Sequence, residues 1–422
     1  MSKGVIIAGA GRGLVFAKLI ASANPESRGR TMQNCADWMM LSADTESREV
    51  NRRVSAIIEP NTAAHGKIRT ELAEAGIGDT PIYESLAEAL REIPESVADA
   101  VMIVTPNATH AELTELALSR HRHVFLEKPI AANWPDVVRI ATAARKHPEQ
   151  LVLLGFVLRY SNFYRRIKEI CDSGILGSIV MIQANERLDI EHSSSYRRGW
   201  RRKTAATGGA LNEKCSHDLD ILCWIKESQA KPVAVFSIGG QDLFQSKNPT
   251  PDRCPDCSDL NCPYRLTAEK LRKAKGSFKR DLALADQCAF RTDADVNTNQ
   301  SATILFDDGT QAVFTMMMVS GVPGRDILIH GSSGMLSGDF ENGRITLTNY
   351  RTGEVIDRSA KIAEWHGGGD ALVLNDFFDC IDSGGTPISR IDDGITATRL
   401  ALASDLSNRE RRLVFLKELA LA

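Results

Sequence analysis

Short apolar segments alternate with segments of helical periodicity over the first 156 residues, and this alternation constrains the fold more than any other feature. Residues 4–11 (GVIIAGAG) form an apolar run that ends in glycines, and a helix is predicted to follow over 12–23. Further short strands, separated by helical stretches, are predicted at 54–58, 100–104, 123–126 and 151–156. This alternation indicates an α/β domain whose parallel sheet is covered on both faces.

The pattern changes after about residue 156. Longer strands joined by turn signals are predicted at 179–186, 233–238, 301–306, 311–319, 326–330 and 344–349. We therefore predict two domains, 1–156 and 157–422, the second an α+β domain with a mostly antiparallel open sheet. Two stretches, 24–53 and about 241–295, fit neither pattern and are interpreted as insertions.

Charge and hydropathy exclude several classes of protein. The 51 basic and 54 acidic residues give a formal charge of -3, which leaves no excess for nucleic acid or an anionic membrane. No apolar run approaches the roughly 20 residues that span a bilayer, and the amino terminus enters a strand rather than a signal peptide. We expect a cytoplasmic protein that binds neither nucleic acid nor membrane.

The glycine-rich turn at residues 9–13 (GAGRG) follows the first strand. Glycines there let the backbone approach a pyrophosphate, whose charge the following helix favours. A GxGxxG spacing would place the third glycine at Leu14, so it comes one residue early here. Glu59, at the end of the second strand, is placed to bind an adenosine ribose and repel a 2′-phosphate, which predicts NAD over NADP. The alternative is an exposed glutamate at a helix entry.

Lys128 lies between a carboxylate and a proline, directly after the strand predicted at 123–126. Pro129 disfavours the helical region for the residue before it, so Lys128 is extended at the carboxyl end of the strand. Open α/β sheets bind ligands at that edge. Lys128 is therefore a candidate acid or base for a substrate hydroxyl, and a surface lysine in a turn is the alternative.

Residues 208–220 (GGALNEKCSHDLD) place Glu213, His217 and Asp220 on one face of a predicted helix. The two preceding glycines are expected to let a ligand approach closely. Because three titratable groups on one face are expensive to bury, a polar site is predicted there. Lys214 is either a second cation near this site or solvated.

Three cysteines cluster in the second insertion, at Cys254, Cys257 and Cys262. Two thiolates in a C-x2-C turn can bind one zinc ion. Cys288 is the nearest candidate for a fourth ligand, and a histidine from elsewhere in the chain is the other. A structural zinc is predicted, and reduced thiols without metal are the alternative.

The chain closely resembles the Gfo/Idh/MocA oxidoreductase family. The motifs that carry the likeness are the glycine turn, Thr105-Pro106-Asn107 with His110, Glu127-Lys128-Pro129 and residues 208–220. The resemblance covers nearly all of the chain and implies a Rossmann NAD-binding domain followed by a substrate-binding domain whose open sheet often forms the oligomer interface. It also implies hydride transfer between a nicotinamide cofactor and a hydroxyl carbon of a sugar, cyclitol or related polyol, in a homo-oligomer, either a dimer or a tetramer.

Residue roles follow from the same resemblance. Lys128 matches the lysine of the family's EKP motif, His217 its catalytic histidine, and Glu213 a position where many members have aspartate. We hypothesise that His217 accepts the proton, because histidine titrates near the operating pH, while Lys128 and Glu213 orient the hydroxyl. A lysine pKa lowered by the bound cofactor would make Lys128 the base instead.

The expected contacts divide into two sets. Cofactor contacts are expected from Gly9, Gly11, Arg12, Gly13, Glu59, Thr105, Pro106, Asn107, His110, Glu127 and Lys128. Substrate contacts are expected from Lys128, Arg159, Tyr160, Lys214 and Asp220. Two other functions remain open: an enzyme that retains NAD while it cleaves or epimerises a glycoside, and a non-catalytic NAD-binding regulator.

Overall fold

The computed structural model describes residues 3–23, 51–244, 251–265, 267, 286–361 and 368–421. Most of the first predicted insertion and part of the second lie outside these residues. The chain divides into two compact units, and each of them is made of three separate stretches of sequence. One boundary near residue 156 does not describe this division, because the chain returns to the first unit at residues 363–395. The first unit comprises Met1–Ala131, Pro135–Asn162 and Ala363–Ile395, and the second Ala132–Trp134, Phe163–Ile362 and Thr396–Ala422.

The first unit is built on a six-stranded parallel sheet, as predicted. Its order is β3-β2-β1-β4-β5-β6, with all adjacent pairs parallel. The strands are β1 Gly4–Ala8, β2 Arg53–Ile58, β3 Ile82–Tyr83, β4 Ala98–Ile103, β5 His123–Leu126 and β6 Val152–Leu154. Every residue of β1 and β4 is buried because helices cover both faces of the sheet.

The second unit contains a nine-stranded sheet of order β14-β13-β12-β11-β7-β10-β9-β8-β15. Adjacent strands are antiparallel except β7 and β10, which confirms the mostly antiparallel prediction. Buried and exposed residues alternate along β9, so one face of the sheet is covered and the other is open. The strands are β7 Ile179–Arg187, β8 Pro232–Gly240, β9 Asn299–Phe306, β10 Gln311–Met317, β11 Gly324–Gly331, β12 Gly334–Asp339, β13 Arg344–Asn349, β14 Val355–Asp357 and β15 Val414–Phe415.

Twelve α-helices are found in the described part of the chain. None of them combines the length and the apolar character that crossing a membrane requires. The helices are α1 Gly13–Ala23, α2 His65–Glu74, α3 Leu86–Glu92, α4 His110–Ser119, α5 Trp134–Lys146, α6 Asn162–Asp172, α7 Ile190–Arg198, α8 Thr204–Thr207, α9 Ala210–Glu213, α10 Ser216–Lys226, α11 Gly369–Ser383 and α12 Ile391–Glu410.

Helix α11 completes the core of the first unit. Its side chains Val373, Leu374, Phe377 and Phe378 belong to one apolar cluster with residues of α1 and of the parallel sheet. The ring of Phe377 lies edge-on to that of Phe125 on β5, with centroids 5.7 Å apart. Helix α11 therefore stabilises the parallel sheet. The carboxyl edge of this sheet carries the predicted cofactor and lysine motifs.

Candidate active site

The glycine turn between β1 and α1 gives each of its three glycines a different role. Gly9 has a φ of +101°, and a Cβ there would lie 2.4 Å from the carbonyl oxygen of Val104. At Gly13 a Cβ would lie 2.8 Å from Cγ2 of Ile7, so Gly13 lets α1 pack closely on β1. A Cβ at Gly11 would meet nothing within 4 Å. The third glycine thus has its usual packing role one residue early, and the turn is open at Gly11.

The open turn fits the pyrophosphate of a dinucleotide. Helix α1 begins at Gly13, so its amino-terminal end, where the helix dipole favours a negative charge, comes directly after Gly11 and Arg12. Asn107 follows β4 and is 4 % exposed, and its Nδ2 has no hydrogen-bond partner among the described residues. A buried amide donor without a partner is the kind of group that a bound cofactor satisfies.

Glu59 follows β2, which pairs with β1. Its Oε1 accepts a hydrogen bond from the backbone N–H of Asn61 (3.1 Å), and its own carbonyl lies 2.8 Å from Nε2 of His65. These two contacts hold the glutamate at the end of the strand, where the sequence places it.

Arg12 forms ion pairs inside the first unit. Its Nε donates to Oε1 of Glu127 (2.6 Å), and its Nη2 donates to Asp370 of α11. Glu127 in turn accepts the backbone N–H of Lys128 at Oε2 (3.0 Å). Arg12, predicted as a cofactor contact, therefore positions the carboxylate that holds the Lys128 backbone, and Asp370 has a part in this that the sequence did not indicate.

His110 links the loops that follow β4 and β5. Its Nε2 lies 3.0 Å from the carbonyl oxygen of Thr105, and its Nδ1 lies 3.0 Å from that of Pro129. The ring is fully buried, and burial lowers the pKa of His110. His110 therefore supports, from within the core, both the Thr105-Pro106-Asn107 loop and the loop that carries Lys128.

Arg159 and Tyr160, predicted to bind substrate, make internal contacts in the first unit. The guanidinium of Arg159, which is 1 % exposed, donates to the carbonyl of Ile388 (2.8 Å) and to Asp393 (3.2 Å). The hydroxyl of Tyr160 donates to Asp376 of α11 (2.5 Å). These contacts give both residues a structural role, and a substrate contact by either stays a prediction.

The segment 208–220 in the second unit differs from the single helix that was predicted. Helix α9 ends at Glu213, and α10 begins at Ser216 after Cys215, whose ψ of 10° departs from helical geometry. His217 and Asp220 therefore share α10, one turn apart, while Glu213 precedes the break. The placement of all three on one continuous helix was wrong because regular helical geometry is interrupted at Lys214 and Cys215.

The two glycines before α9 face protein rather than open space. Gly208 and Gly209 have φ values of +75° and +93°. A Cβ at Gly208 would lie 2.5 Å from the carbonyl oxygen of Ala132, and one at Gly209 would lie 1.8 Å from a carboxylate oxygen of Asp405. The expectation that they admit a ligand was wrong on this side of the backbone, because neighbouring protein atoms fill the space.

Glu213 is held by two donors that precede it in sequence. The hydroxyl of Tyr196 in α7 donates to Oε2, and Nε of Arg201 donates to Oε1 (2.8 Å). Burial, and the nearby carboxylate, raise the pKa of Tyr196, so the phenol remains a neutral donor. Both carboxylate oxygens of Glu213 are thus engaged, which favours an orienting role over proton transfer.

A buried ion network lies beside α10. Nε of Arg325 is 2.5 Å from Glu186 and 2.8 Å from Asp218, and Nζ of Lys214 is 3.1 Å from Glu186. Burial raises the pKa of Asp218 to about 6, although Arg325 opposes the shift. Lys214 is therefore paired with Glu186 rather than solvated, and its role as a second cation near the site stays a prediction. Sequence reasoning missed Glu186, Asp218 and Arg325 because their pairing joins β7, α10 and β11.

Two arginines in the last turn of α7 anchor the described parts of the second insertion. The guanidinium of Arg197 donates to the carbonyl of Ala289 (3.1 Å), and that of Arg198 donates to the carbonyls of Tyr264 (2.6 Å) and Gln287 (2.7 Å). In the same insertion the aromatic rings of Phe244, Tyr264 and Phe290 pack against one another, and the Arg197 guanidinium lies over the ring of Phe244.

Cys254, Cys257, Cys262 and Cys288 line one small cavity in this region. All four are free of disulfides. As the side chains stand, no group of three or more His, Cys, Asp or Glu in the described part of the chain is arranged to hold a metal ion. The structure thus brings together the four predicted thiols.

Two family models match the sequence. The first, described as "Oxidoreductase family, NAD-binding Rossmann fold", matches residues 5–156, and the second, described as "GFO/IDH/MocA C-terminal domain", matches residues 164–337. Together they cover well over half of the chain.

Curated relatives agree with these matches. The putative oxidoreductase YteT of Bacillus subtilis is 27 % identical over 327 residues, which are 70 % of this chain and 75 % of YteT. Inositol 2-dehydrogenase of Salmonella typhimurium is 29 % identical over 144 residues, 34 % of this chain and 40 % of that enzyme. The chain thus matches less than half of the length of this inositol 2-dehydrogenase.

Solved structures share the fold over nearly the whole chain. Levoglucosan dehydrogenase in complex with NADH and levoglucosan matches 99 % of this chain and 100 % of its own, with a TM-score of 0.72 and 15 % identity. The structure of myo-inositol 2-dehydrogenase from Lactobacillus plantarum matches 98 % of this chain and 99 % of its own, with a TM-score of 0.66 and 20 % identity. The family models, together with the parallel and open sheets, show that the chain belongs to the Gfo/Idh/MocA family of oxidoreductases, with an NAD-binding Rossmann fold in its amino-terminal part.

Proposed function

We propose that the protein is a dehydrogenase that transfers a hydride between NAD and a hydroxyl carbon of a sugar, cyclitol or related polyol. The observation that carries the proposal is the glycine turn, open at Gly11, in a chain that also holds Lys128 at the end of β5 through Glu127. The inositol and levoglucosan dehydrogenases among the similar proteins support this substrate class.

The cofactor would be held by the glycine turn, the first turn of α1 and the Asn107 amide. When bound, its nicotinamide ring supplies the acceptor or donor of the hydride. Glu59 at the end of β2 favours NAD, because a carboxylate accepts hydrogen bonds from ribose hydroxyls and repels the 2′-phosphate of NADP. Tighter binding of NADH than of NADPH, measured by calorimetry, is the expected result.

His217 accepts the proton of the hydroxyl in this proposal, and Lys128 binds and polarises that hydroxyl. Histidine has an ordinary pKa near neutrality, whereas lysine must be shifted by about three units to act as a base at pH 7. Glu213 orients the reacting groups, because Tyr196 and Arg201 already engage its two oxygens.

The decisive experiment follows NADH absorbance on a panel of sugars, cyclitols and glycosides with both cofactors. Lys128→Met and His217→Asn are expected to reduce kcat/KM by about 10² to 10⁴, the usual contribution of acid–base groups. Matched controls are Lys67→Met, at an exposed position in α2, and His147→Asn, after α5. Wild-type turnover in both Lys128→Met and His217→Asn would contradict the assignment.

The same assays separate the two other functions. Turnover of a glycoside without added NAD and without net NADH formation would identify an enzyme that retains its cofactor. Failure of the folded protein to bind NADH or NADPH, or binding without turnover of any compound, would favour a regulator.

We also propose that the protein is a homo-oligomer, associated through the open face of the nine-stranded sheet. Large apolar side chains are exposed on this face, at Phe236, Ile238, Leu305 and Met317. Exposed apolar patches of this kind mark association surfaces. Sedimentation at several concentrations would show a dimer or tetramer, and a Phe236→Glu variant is expected to dissociate it.

A further inference from the structure

The four cysteines of the second insertion surround a single small space. Cys254, Cys257, Cys262 and Cys288 line a cavity of about 20 Å³, which is the volume available to one water-sized sphere. Apart from the four cysteines, its walls consist of Arg198, Asp259, Tyr264, Arg265, Ala289 and Phe290, and of these Asp259 is exposed. A single ion, rather than an organic molecule, matches its size.

The backbone already holds the four positions together. The turn at Cys254–Asp256 is closed by a hydrogen bond from the N–H of Cys257 to the carbonyl of Cys254 (3.3 Å). A β-bridge between Arg253 and Gln287 joins this turn to the far end of the insertion. Across it, Cys254 N–H donates to the carbonyl of Asp286 (2.6 Å), and Cys288 N–H donates to that of Asp252 (2.7 Å). Because the backbone is set, rotation about χ1 alone moves the sulfur atoms toward or away from the cavity centre.

The charge of the cavity wall is independent evidence for an anionic centre. Arg198 is 4 % exposed, and its Nη2 lies 3.6 Å from Sγ of Cys254. Its Nη1 has no hydrogen-bond partner among the described residues. Arg265 lines the same cavity. A buried guanidinium requires an anion, and neutral thiols do not supply one.

We propose that Cys254, Cys257, Cys262 and Cys288 bind a structural zinc ion as four thiolates. Zinc with four thiolates carries a net charge of about -2, which Arg198 and Arg265 neutralise. The thiolates reach the ion at about 2.3 Å after χ1 rotation inward, and each releases one proton to solvent as it binds. The ion ties the C-x2-C turn to Cys288 and so closes the base of the insertion.

The first test measures metal in protein purified without chelator and without added metal. Mass spectrometry of the digested protein is expected to find about one zinc ion per chain. Replacement by Co²⁺ is expected to give intense visible absorption and a sulfur-to-cobalt charge-transfer band, because tetrahedral thiolate coordination produces both. This measurement uses the wild-type chain, so it does not depend on whether a variant folds.

The second test uses Cys254→Ser and Cys288→Ser, which remove one ligand from each side of the bridge. Both are expected to lose zinc and the cobalt charge-transfer band. Cys223→Ser is the matched control, since that thiol lies on α10 away from the cavity, and it should keep the full zinc content.

Three results would overturn the proposal. One is metal-free protein in which all nine cysteines titrate as thiols after denaturation without reductant. Another is a thiol count reduced by a disulfide among the four. The third is iron in place of zinc. None of these results bears on the proposed dehydrogenase, which is tested by cofactor binding and turnover.

Discussion

The glycine turn at residues 9–13 and the segment at 208–220 both combine glycines with charged side chains, yet they use them differently. In the turn, a side chain at Gly11 would meet open space, while Gly9 and Gly13 face protein atoms. In the second segment both Gly208 and Gly209 face protein atoms. A glycine in a motif therefore indicates that something lies close to the backbone at that residue. The atoms around it show whether this is another part of the protein or a space open to a ligand.

The two regions also differ in how exposed their ion pairs are to solvent. Around the turn, the Arg12 side chain is 27 % exposed, and it pairs with Glu127 and Asp370, whose side chains are 8 % and 13 % exposed. Beside α10, Arg325 joins Glu186 and Asp218, and both carboxylates have side chains only 5 % exposed. The second network is thus the one in which the loss of one partner leaves a charge that water cannot reach.

The largest effect on stability is expected for Arg325→Met. Removal of the cation leaves Glu186 and Asp218 buried without their shared partner, and breaking such a pair costs about 3 to 5 kcal/mol of unfolding free energy. Urea denaturation measures this value. Arg166→Met is the control, because Arg166 pairs with Glu169 at an exposed position where about 0 to 1 kcal/mol is expected. Equal effects of the two substitutions would show that the network is not buried as described.

The next largest effect on stability is expected at Gly9. At Gly11, in the same turn, the expected effect is on cofactor binding instead. Gly9→Ala is expected to destabilise the protein by about 1 to 3 kcal/mol, because alanine is strained at a φ of +101° and its Cβ meets the Val104 carbonyl. Gly11→Ala is expected to leave the urea midpoint within about 0.5 kcal/mol and to weaken NADH binding. A Gly11→Ala protein that binds NADH as tightly as wild type would remove Gly11 from the proposed cofactor site.

Local signals predicted most of the fold. The bounds of β5 and β13 agree with the predicted strands 123–126 and 344–349, since each is a clear apolar or alternating run between turn residues. Four strands were missed. Two or three residues are too few to show periodicity in β3, β14 and β15, and the glycines of β12, Gly334 and Gly338, are typical of turns rather than strands. The return of α11 to the first core was missed because helical periodicity does not indicate which sheet a helix packs against.

The candidate site was predictable where its chemistry follows the chain. The order of the glycine turn, Lys128 and His217 was accessible from motifs, and so was the grouping of the four cysteines. The partners of these residues were not. Asp370 reaches Arg12, and Arg325 reaches Asp218, only after distant elements have packed. Ion pairs of this kind depend on tertiary contacts that leave no local pattern in the sequence.

A moderate effect on catalysis is expected for Tyr196→Phe. Loss of the phenol removes the hydrogen bond to Oε2 of Glu213 and leaves that carboxylate less firmly oriented, so kcat is expected to fall by about tenfold. The unfolding free energy should decrease by about 1.5 to 3 kcal/mol, the usual value of a hydrogen bond to a charged group. Tyr83→Phe removes a similar bond, to Glu92 (2.9 Å), in the first unit and should leave kcat unchanged. A Tyr196→Phe enzyme with wild-type kcat would show that Glu213 needs no second donor.

The smallest effect concerns the carboxylate that packs against Gly209. Burial raises the pKa of Asp405 to about 6, although hydrogen bonding from Gln300 opposes the shift. Because the ordinary pKa of aspartate is about 3.9, the folded protein keeps a proton between about pH 4 and 6 that the unfolded chain releases. This group therefore stabilises the fold below about pH 4, and its contribution is lost as the pH rises through 6.

Asp405→Asn replaces the carboxylate with a neutral group of the same size that can still accept a hydrogen bond from Gln300. The difference in unfolding free energy between the variant and wild type should grow, in favour of the variant, as the pH is raised from 4 to 6, and should stay constant above about 7. Urea denaturation at several pH values measures it. Asp79→Asn, at an exposed position, should show no such trend because water solvates that carboxylate in both states. A flat difference for Asp405→Asn would mean that the carboxylate beside Gly209 is ionised throughout, so that the close packing at this glycine involves a charged group.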